Sequence, residues 1–185
     1  MEILPHPAGV GKIVTMVFPY YAKLSKRQKA IYRQSDEIEH VSLLNADSLW
    51  PLVNELRSIL PTGKRKIIES VVRRIVDGIL KELDISEINV KVFAVRPSRN
   101  WGELHGLYES EEGSKACISV WMKTAKNKKV VAFKTFLRTV LHELCHHIDY
   151  EFYCLADSYH TEGFFKRESS LFHQLVTDQS ADPVI

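Results

Sequence analysis

The sequence predicts an α+β fold, with a small and mostly antiparallel sheet packed on one long helix and a helical region ahead of both. Three observations lead there. Apolar residues recur at helical spacing over several stretches of the first half. From Ile88 the pattern switches to β-branched and aromatic residues. Finally, one amphipathic helix of about 131–152 carries the segment His142-Glu143-Leu144-Cys145-His146.

Taken in order, residues 1–24 hold Pro5, Pro7 and Pro19 and read as an irregular arm. Helices are expected over about 25–36, over about 46–60 (after Asn45 and before Pro61), and over about 63–83, where Ile67, Val71, Ile75 and Leu80 are among the apolar positions. Ile88 to Val95, running into Pro97, reads as a strand. Gly106 to Ser110 and Ala116 to Met122 bracket Glu111-Glu112-Gly113-Ser114 and read as two short strands joined by a turn, with Cys117-Ile118-Ser119-Val120-Trp121 at a sheet edge. In the long helix, Leu137, Val140, Leu141, Leu144 and Ile148 form the core-facing stripe. A polar loop, Asp157 to Gly163, leads to a last helix of about 164–176. The organisation is therefore an N-terminal arm and helical region, 1–87, followed by a domain over 88–185.

Composition narrows the function classes. With 45% hydrophobic and 26% charged residues the chain is ordinary globular material, which excludes long disorder and fibrous repeats. A formal net charge of +2 does not by itself call for nucleic acid or an anionic membrane. Cys117, Cys145 and Cys154 include no C-x-x-C pair, so neither a disulfide framework nor a zinc ribbon can be built from them, and a reducing, cytoplasmic setting is expected. The start, Met1 to Pro5, has no basic leader, and the apolar run Ile13 to Phe18 stops at Pro19, so no membrane anchor is expected.

The chemistry concentrates in the last sixty or so residues. Positions four apart on a helix project from one face, so His142 and His146 can share a tetrahedral metal, with Glu143 beside it. Zinc held by three protein groups keeps a fourth position for water and lowers its pKa to about 7, and a neighbouring carboxylate takes the proton. A chain of this composition produces the pattern by chance roughly 0.03 times, so its place on an amphipathic helix is what sharpens it. His160, in the polar loop, is the first choice as third ligand, with Asp157, Glu162 and Glu168 as alternatives. Asp149 and Asp157 are carboxylates able to orient a ligand imidazole through its free N–H. Tyr159, beside the proposed third ligand, reads first as a packing tyrosine and second as a hydrogen-bond donor to an oxyanion, with Tyr108 and Tyr153 behind it as donors. Cys145 and Cys154 read as small hydrophobes.

With those residues in place, His142-Glu143-Leu144-Cys145-His146 followed by His160-Thr161-Glu162-Gly163-Phe164-Phe165-Lys166 resembles the SprT-like metallopeptidases. These carry HExxH and then a histidine opening an HGxxF-like stretch, and the resemblance covers roughly 88–176. It implies a zincin-like domain, one Zn2+ per chain on His142, His146 and His160, and Glu143 activating a zinc-bound water to hydrolyse peptide bonds of a polypeptide substrate. It also implies that the Cys117 to Trp121 strand flanks the cleft and holds extended peptide by edge pairing. Thr161 stands where the family often has glycine, and the cysteine-rich zinc ribbon of many members has no counterpart, so the family's DNA-linked roles are not implied.

Two other readings follow from the same residues. One is a non-catalytic, metal-stabilised module that binds DNA or protein, its site closed by Asp157 or Glu162. DNA contact would fall to the basic clusters Lys64-Arg65-Lys66 with Arg73 and Arg74, or Lys123, Lys126, Lys128 and Lys129. The other is a deformylase-like zinc amide hydrolase using Ala116-Cys117-Ile118-Ser119, for which the 25-residue spacing from Cys117 to His142 is too short.

Overall fold

A computed structural model describes residues 18–99, 102–111 and 113–176, so the arm expected over 1–24 lies outside the described residues up to position 17. Among the described residues the chain is a mixed α+β fold with five α-helices. They are α1 (Lys26–Glu37), α2 (Trp50–Ile59), α3 (Arg65–Leu83), α4 (Phe133–Glu151) and α5 (Glu162–Leu175). The strands are β1 (Asn89–Val95), β2 (Ser98–Arg99), β3 (Gly102–Glu103), β4 (Gly106–Glu109) and β5 (Cys117–Lys123). Short 3₁₀ turns at Pro19–Lys23, Ala46–Leu49 and Leu60–Thr62 precede α1, precede α2 and follow α2.

Local chemistry explains the helix limits. Ser25 and Gln28 make a reciprocal capping box at the start of α1, satisfying amides that have no partner in the first turn. Helix α3 buries Ile68, Val71, Val72, Ile75, Val76, Ile79, Leu80 and Leu83, the alternating spacing of three and one that places one stripe against a core. It ends at Asp84, whose left-handed φ of 51° a short polar side chain tolerates.

The sheet departs from expectation in two ways. Its order is β1-β5-β4, with β2 and β3 forming a separate two-stranded ribbon. The longer pairing is parallel, from Asn89↔Cys117 to Val95↔Lys123, and only β4 runs antiparallel to β5, from Gly106↔Val120 to Glu109↔Cys117. The sheet is therefore mixed, because β2, β3 and β4 intervene and return the chain to run alongside β1 in the same direction. The second correction concerns Cys117 to Trp121, which is the central strand and not an edge. Burial of Cys117, Ile118, Ser119, Val120 and Met122 on both faces is what a strand flanked on both sides shows.

Helices α3 and α4 cover the sheet face that carries Val90, Val92, Ile118 and Val120. One apolar cluster runs from Val41 to Leu175 and includes residues of α2, α3, the sheet, α4 and α5, so positions on either side of residue 87 share a core. Helix α3 also seals the outer edge of β1. Arg65 donates to the Val92 carbonyl at 3.1 Å, Glu69 accepts from the Val92 amide at 2.8 Å, and Arg73 donates to the Val90 carbonyl at 3.2 Å. These residues are four apart and share one helix face. Arg74 pairs with Glu55 at 3.3 Å, so much of the first basic cluster is engaged within the fold. Among the described residues, no helix is long and apolar enough to cross a membrane.

Candidate metal centre

Helix α4 projects His142 and His146 from one face, a single turn apart. After α4 the chain turns back: the Leu155 amide bonds the Asp149 carbonyl at 2.9 Å and Cys154 takes a left-handed φ of 51°. The returning loop delivers His160, and Thr161 ends it by capping α5, accepting the Phe164 amide at 2.9 Å. The loop is held from outside by the N-terminal segment, since Tyr20 donates its hydroxyl to the His160 carbonyl at 2.9 Å.

The result is a three-histidine cluster placed to bind a metal ion. His160 Nε2 lies 3.0 Å from His142 Nε2 and 3.1 Å from His146 Nε2. Tetrahedral zinc with Zn–N bonds of about 2.0–2.1 Å puts its ligand atoms roughly 3.3 Å apart, so these distances are within a few tenths of an ångström of that geometry.

The opposite ring nitrogens explain why the Nε2 atoms are the ones available. Ser158 Oγ donates to Asp149 Oδ2 at 2.8 Å and therefore accepts from His146 Nδ1, 2.7 Å away. That places the proton on Nδ1 and leaves the Nε2 lone pair free. Asp149 is fully buried and pairs with the equally buried Arg167 at 2.9 Å. Burial pushes the Asp149 carboxyl up to about 6 while Arg167 opposes the rise, so it is charged at neutral pH. Arg167 continues outward to the Ser35 carbonyl at 2.6 Å and to the Ile38 carbonyl, tying α1 to the site. On the other ligand, His142 Nδ1 faces Glu168 Oε2 at 3.3 Å, and Glu168 is itself held by Arg138 at 3.0 Å. Burial, with the neighbouring imidazoles, pulls His146 down to about 3 and His160 down to about 4. Both rings are thus neutral at pH 7, the state a metal ligand requires.

Glu143 is buried on the side of α4 that meets β4. Burial pushes its carboxyl up to about 7, opposed by His142 and by a hydrogen bond from the Tyr108 amide. A Cβ at Gly106 would overlap this carboxyl, lying only 2.7 Å from Glu143 Cγ, so the strand approaches this closely because position 106 has no side chain. A cleft of about 750 Å³ opens here, with Gly106 and Tyr108 on one wall, Thr135, Arg138 and Thr139 on the other, and the histidines with Glu143 between them.

The cluster brings together His142, His146 and His160, with Glu143 alongside. Asp149 reaches a ligand imidazole through Ser158 and not directly. Asp157 meets no histidine; its Oδ1 accepts the Ser158 amide at 2.9 Å. Tyr159 does not line the cleft, and its ring packs against Tyr20 and Tyr32, at 6.5 and 6.1 Å between centroids. Of the alternative third ligands, Glu162 pairs with Lys166 at 3.0 Å and Glu168 stands behind His142. His147 turns away from the cluster, and burial pushes the Cys145 thiol up, in keeping with a packing role. The supports that sequence reasoning missed are Ser158, Arg167, Tyr20 and Gly106, together with the orienting role of Glu168. Only Glu168 carried a signal, an acidic residue nearly two turns into the helix that follows the third ligand. Comparison with known families, curated proteins and solved structures gave no match for the chain.

Proposed function

We propose that the chain is a zinc-dependent peptidase with a zincin-like site of the SprT-like kind, cutting extended polypeptide. What carries the reading is the convergence of three imidazole nitrogens beside a buried carboxylate, in a cleft bordered by a strand edge that pairs with no other strand among the described residues. Zinc held by His142, His146 and His160 supplies a Lewis acid for a carbonyl oxygen and acidifies water. Glu143 takes the proton of the attacking water and returns it to the amine nitrogen as the peptide bond breaks. The Tyr108 amide and the bare backbone of Gly106 hold the Glu143 carboxyl in place.

The edge of β4 supports a peptide substrate in particular. Trp121 N–H bonds the His105 carbonyl, so the antiparallel alternation turns the backbone groups of Gly106 and Tyr108 away from β5 and toward the cleft, where Glu143 takes the Tyr108 amide, and the Gly106 amide and both carbonyls face the open side. An extended chain laid along that edge gains main-chain hydrogen bonds beside the catalytic carboxylate. A metal site closed by a fourth protein ligand is less well supported. Among the described residues the cluster holds three donors, while Asp157 and Glu162 are engaged elsewhere.

The test is cleavage of a reduced, carboxymethylated polypeptide. Fragments should appear with zinc-loaded protein, stop with chelator, return with added zinc, and fall by about 100-fold or more in Glu143→Gln. Cleavage by Glu143→Gln at the wild-type rate would overturn the reading.

A further inference from the structure

Water adding to a peptide carbonyl leaves negative charge on the carbonyl oxygen, and a hydroxyl donor within reach of that oxygen stabilises it. Four tyrosines lie near the histidines, and three of them are committed: Tyr20 donates to the His160 carbonyl. Tyr159 faces Tyr20 and Tyr32 and does not line the cleft. Tyr108 does line it, but His147 Nε2 lies 2.8 Å from the Ser86 carbonyl and must donate there. That leaves His147 Nδ1 as a bare lone pair, to which the Tyr108 hydroxyl, 3.2 Å away, donates its proton.

Tyr150 remains. It lines the cleft and follows His146 by one helical turn, on the stripe that carries both α4 ligands. Helical side chains lean toward the N-terminus, so its side chain is directed toward the turn that carries His146. The ring stacks on Tyr108 at 6.0 Å and 19°, and Tyr108 in turn stacks on His146 at 6.2 Å and 27°. The Ser158 amide donates to its hydroxyl oxygen, while the hydroxyl proton is weakly held. Asp157 Oδ1 is 3.5 Å away, at the outer limit of a hydrogen bond, and that oxygen already takes a 2.9 Å bond from the Ser158 amide. Burial pushes the phenol up, which keeps its proton in place for donation.

We propose that Tyr150 is a further catalytic residue, its hydroxyl leaving Asp157 to donate to the oxyanion that forms on the scissile carbonyl. The inference rests on the peptidase reading above. In the step concerned, the water oxygen bonds to the carbonyl carbon, the π pair of the C=O bond moves onto oxygen, and the water proton passes to Glu143. Tyr150 keeps its own proton and contributes only a hydrogen bond.

The experiment titrates zinc-loaded full-length protein, wild type and Tyr150→Phe, calorimetrically with a phosphinic dipeptide, whose tetrahedral anion mimics the adduct. Phe keeps the ring stacking, so zinc content and melting temperature should match wild type while Kd rises roughly 10- to 100-fold. A Kd within twofold of wild type would overturn the role of Tyr150 alone. Loss of zinc in step with loss of affinity would also overturn it, by showing a structural role. A wild-type zinc protein that fails to bind the phosphinate would overturn the peptidase reading and this inference with it.

Discussion

The two edges of the small sheet are treated in opposite ways. The outer edge of β1 is covered by α3, whose Arg65, Glu69 and Arg73 take up the carbonyls of Val92 and Val90 and the amide of Val92. Among the described residues the outer edge of β4 meets no strand; its Gly106 backbone faces a cleft of about 750 Å³ that contains the histidine cluster, and its Tyr108 amide bonds Glu143 there. An unpaired strand edge invites association with other chains, and proteins normally cover it. Here one edge is covered by side chains spaced along a helix, and the other is left open where a carboxylate and three imidazoles wait beside it. An open edge is informative only once the fate of its counterpart is known.

The comparison breaks most directly at Gly106. Ala in its place pushes against the Glu143 carboxyl from the open edge, and turnover of the carboxymethylated polypeptide should fall about 100-fold with zinc content unchanged. Somewhat smaller effects are expected behind the ligands. Ser158→Ala removes the acceptor for His146 Nδ1, and Glu168→Gln removes the charge facing His142 Nδ1. Each should weaken zinc affinity by roughly 10- to 100-fold in competition with a chromophoric chelator, leaving the fold intact. The smallest effect belongs to the closed edge. Glu69→Ala frees the Val92 amide and should cost about 1–2 kcal/mol in denaturant unfolding, with zinc affinity unchanged. If covering this edge is the role of Glu69, light scattering of that variant should also show self-association that grows with concentration.

The parts legible in the sequence are those set by local spacing. Helix α4, its apolar stripe and the His142/His146 pair all follow from a 3.6-residue period, and the structure puts that helix within two residues of the expected limits. Strand order depends on pairings between distant segments, which spacing does not encode. That is why local pattern alone puts Cys117 to Trp121 at an edge, although its nearly unbroken apolar run is the available sign of a central strand. The supports of the site were hidden for the same reason. Arg167 reaches Ser35, Tyr20 reaches the His160 carbonyl across 140 positions, and neither belongs to a motif. Tyr159 neighbours His160 in sequence, which makes it a candidate donor, but adjacent loop residues point in different directions, and its ring packs on Tyr20 and Tyr32, the packing role also open to it.

The central claim is that three histidines hold one metal ion beside Glu143, and elemental analysis of gel-filtered protein tests it. About one zinc per chain in wild type and in Glu143→Gln, with most of it lost in His160→Ala, is the result expected from the convergence of the three Nε2 atoms. Zinc absent from wild type, or retained in full by His160→Ala, would contradict it.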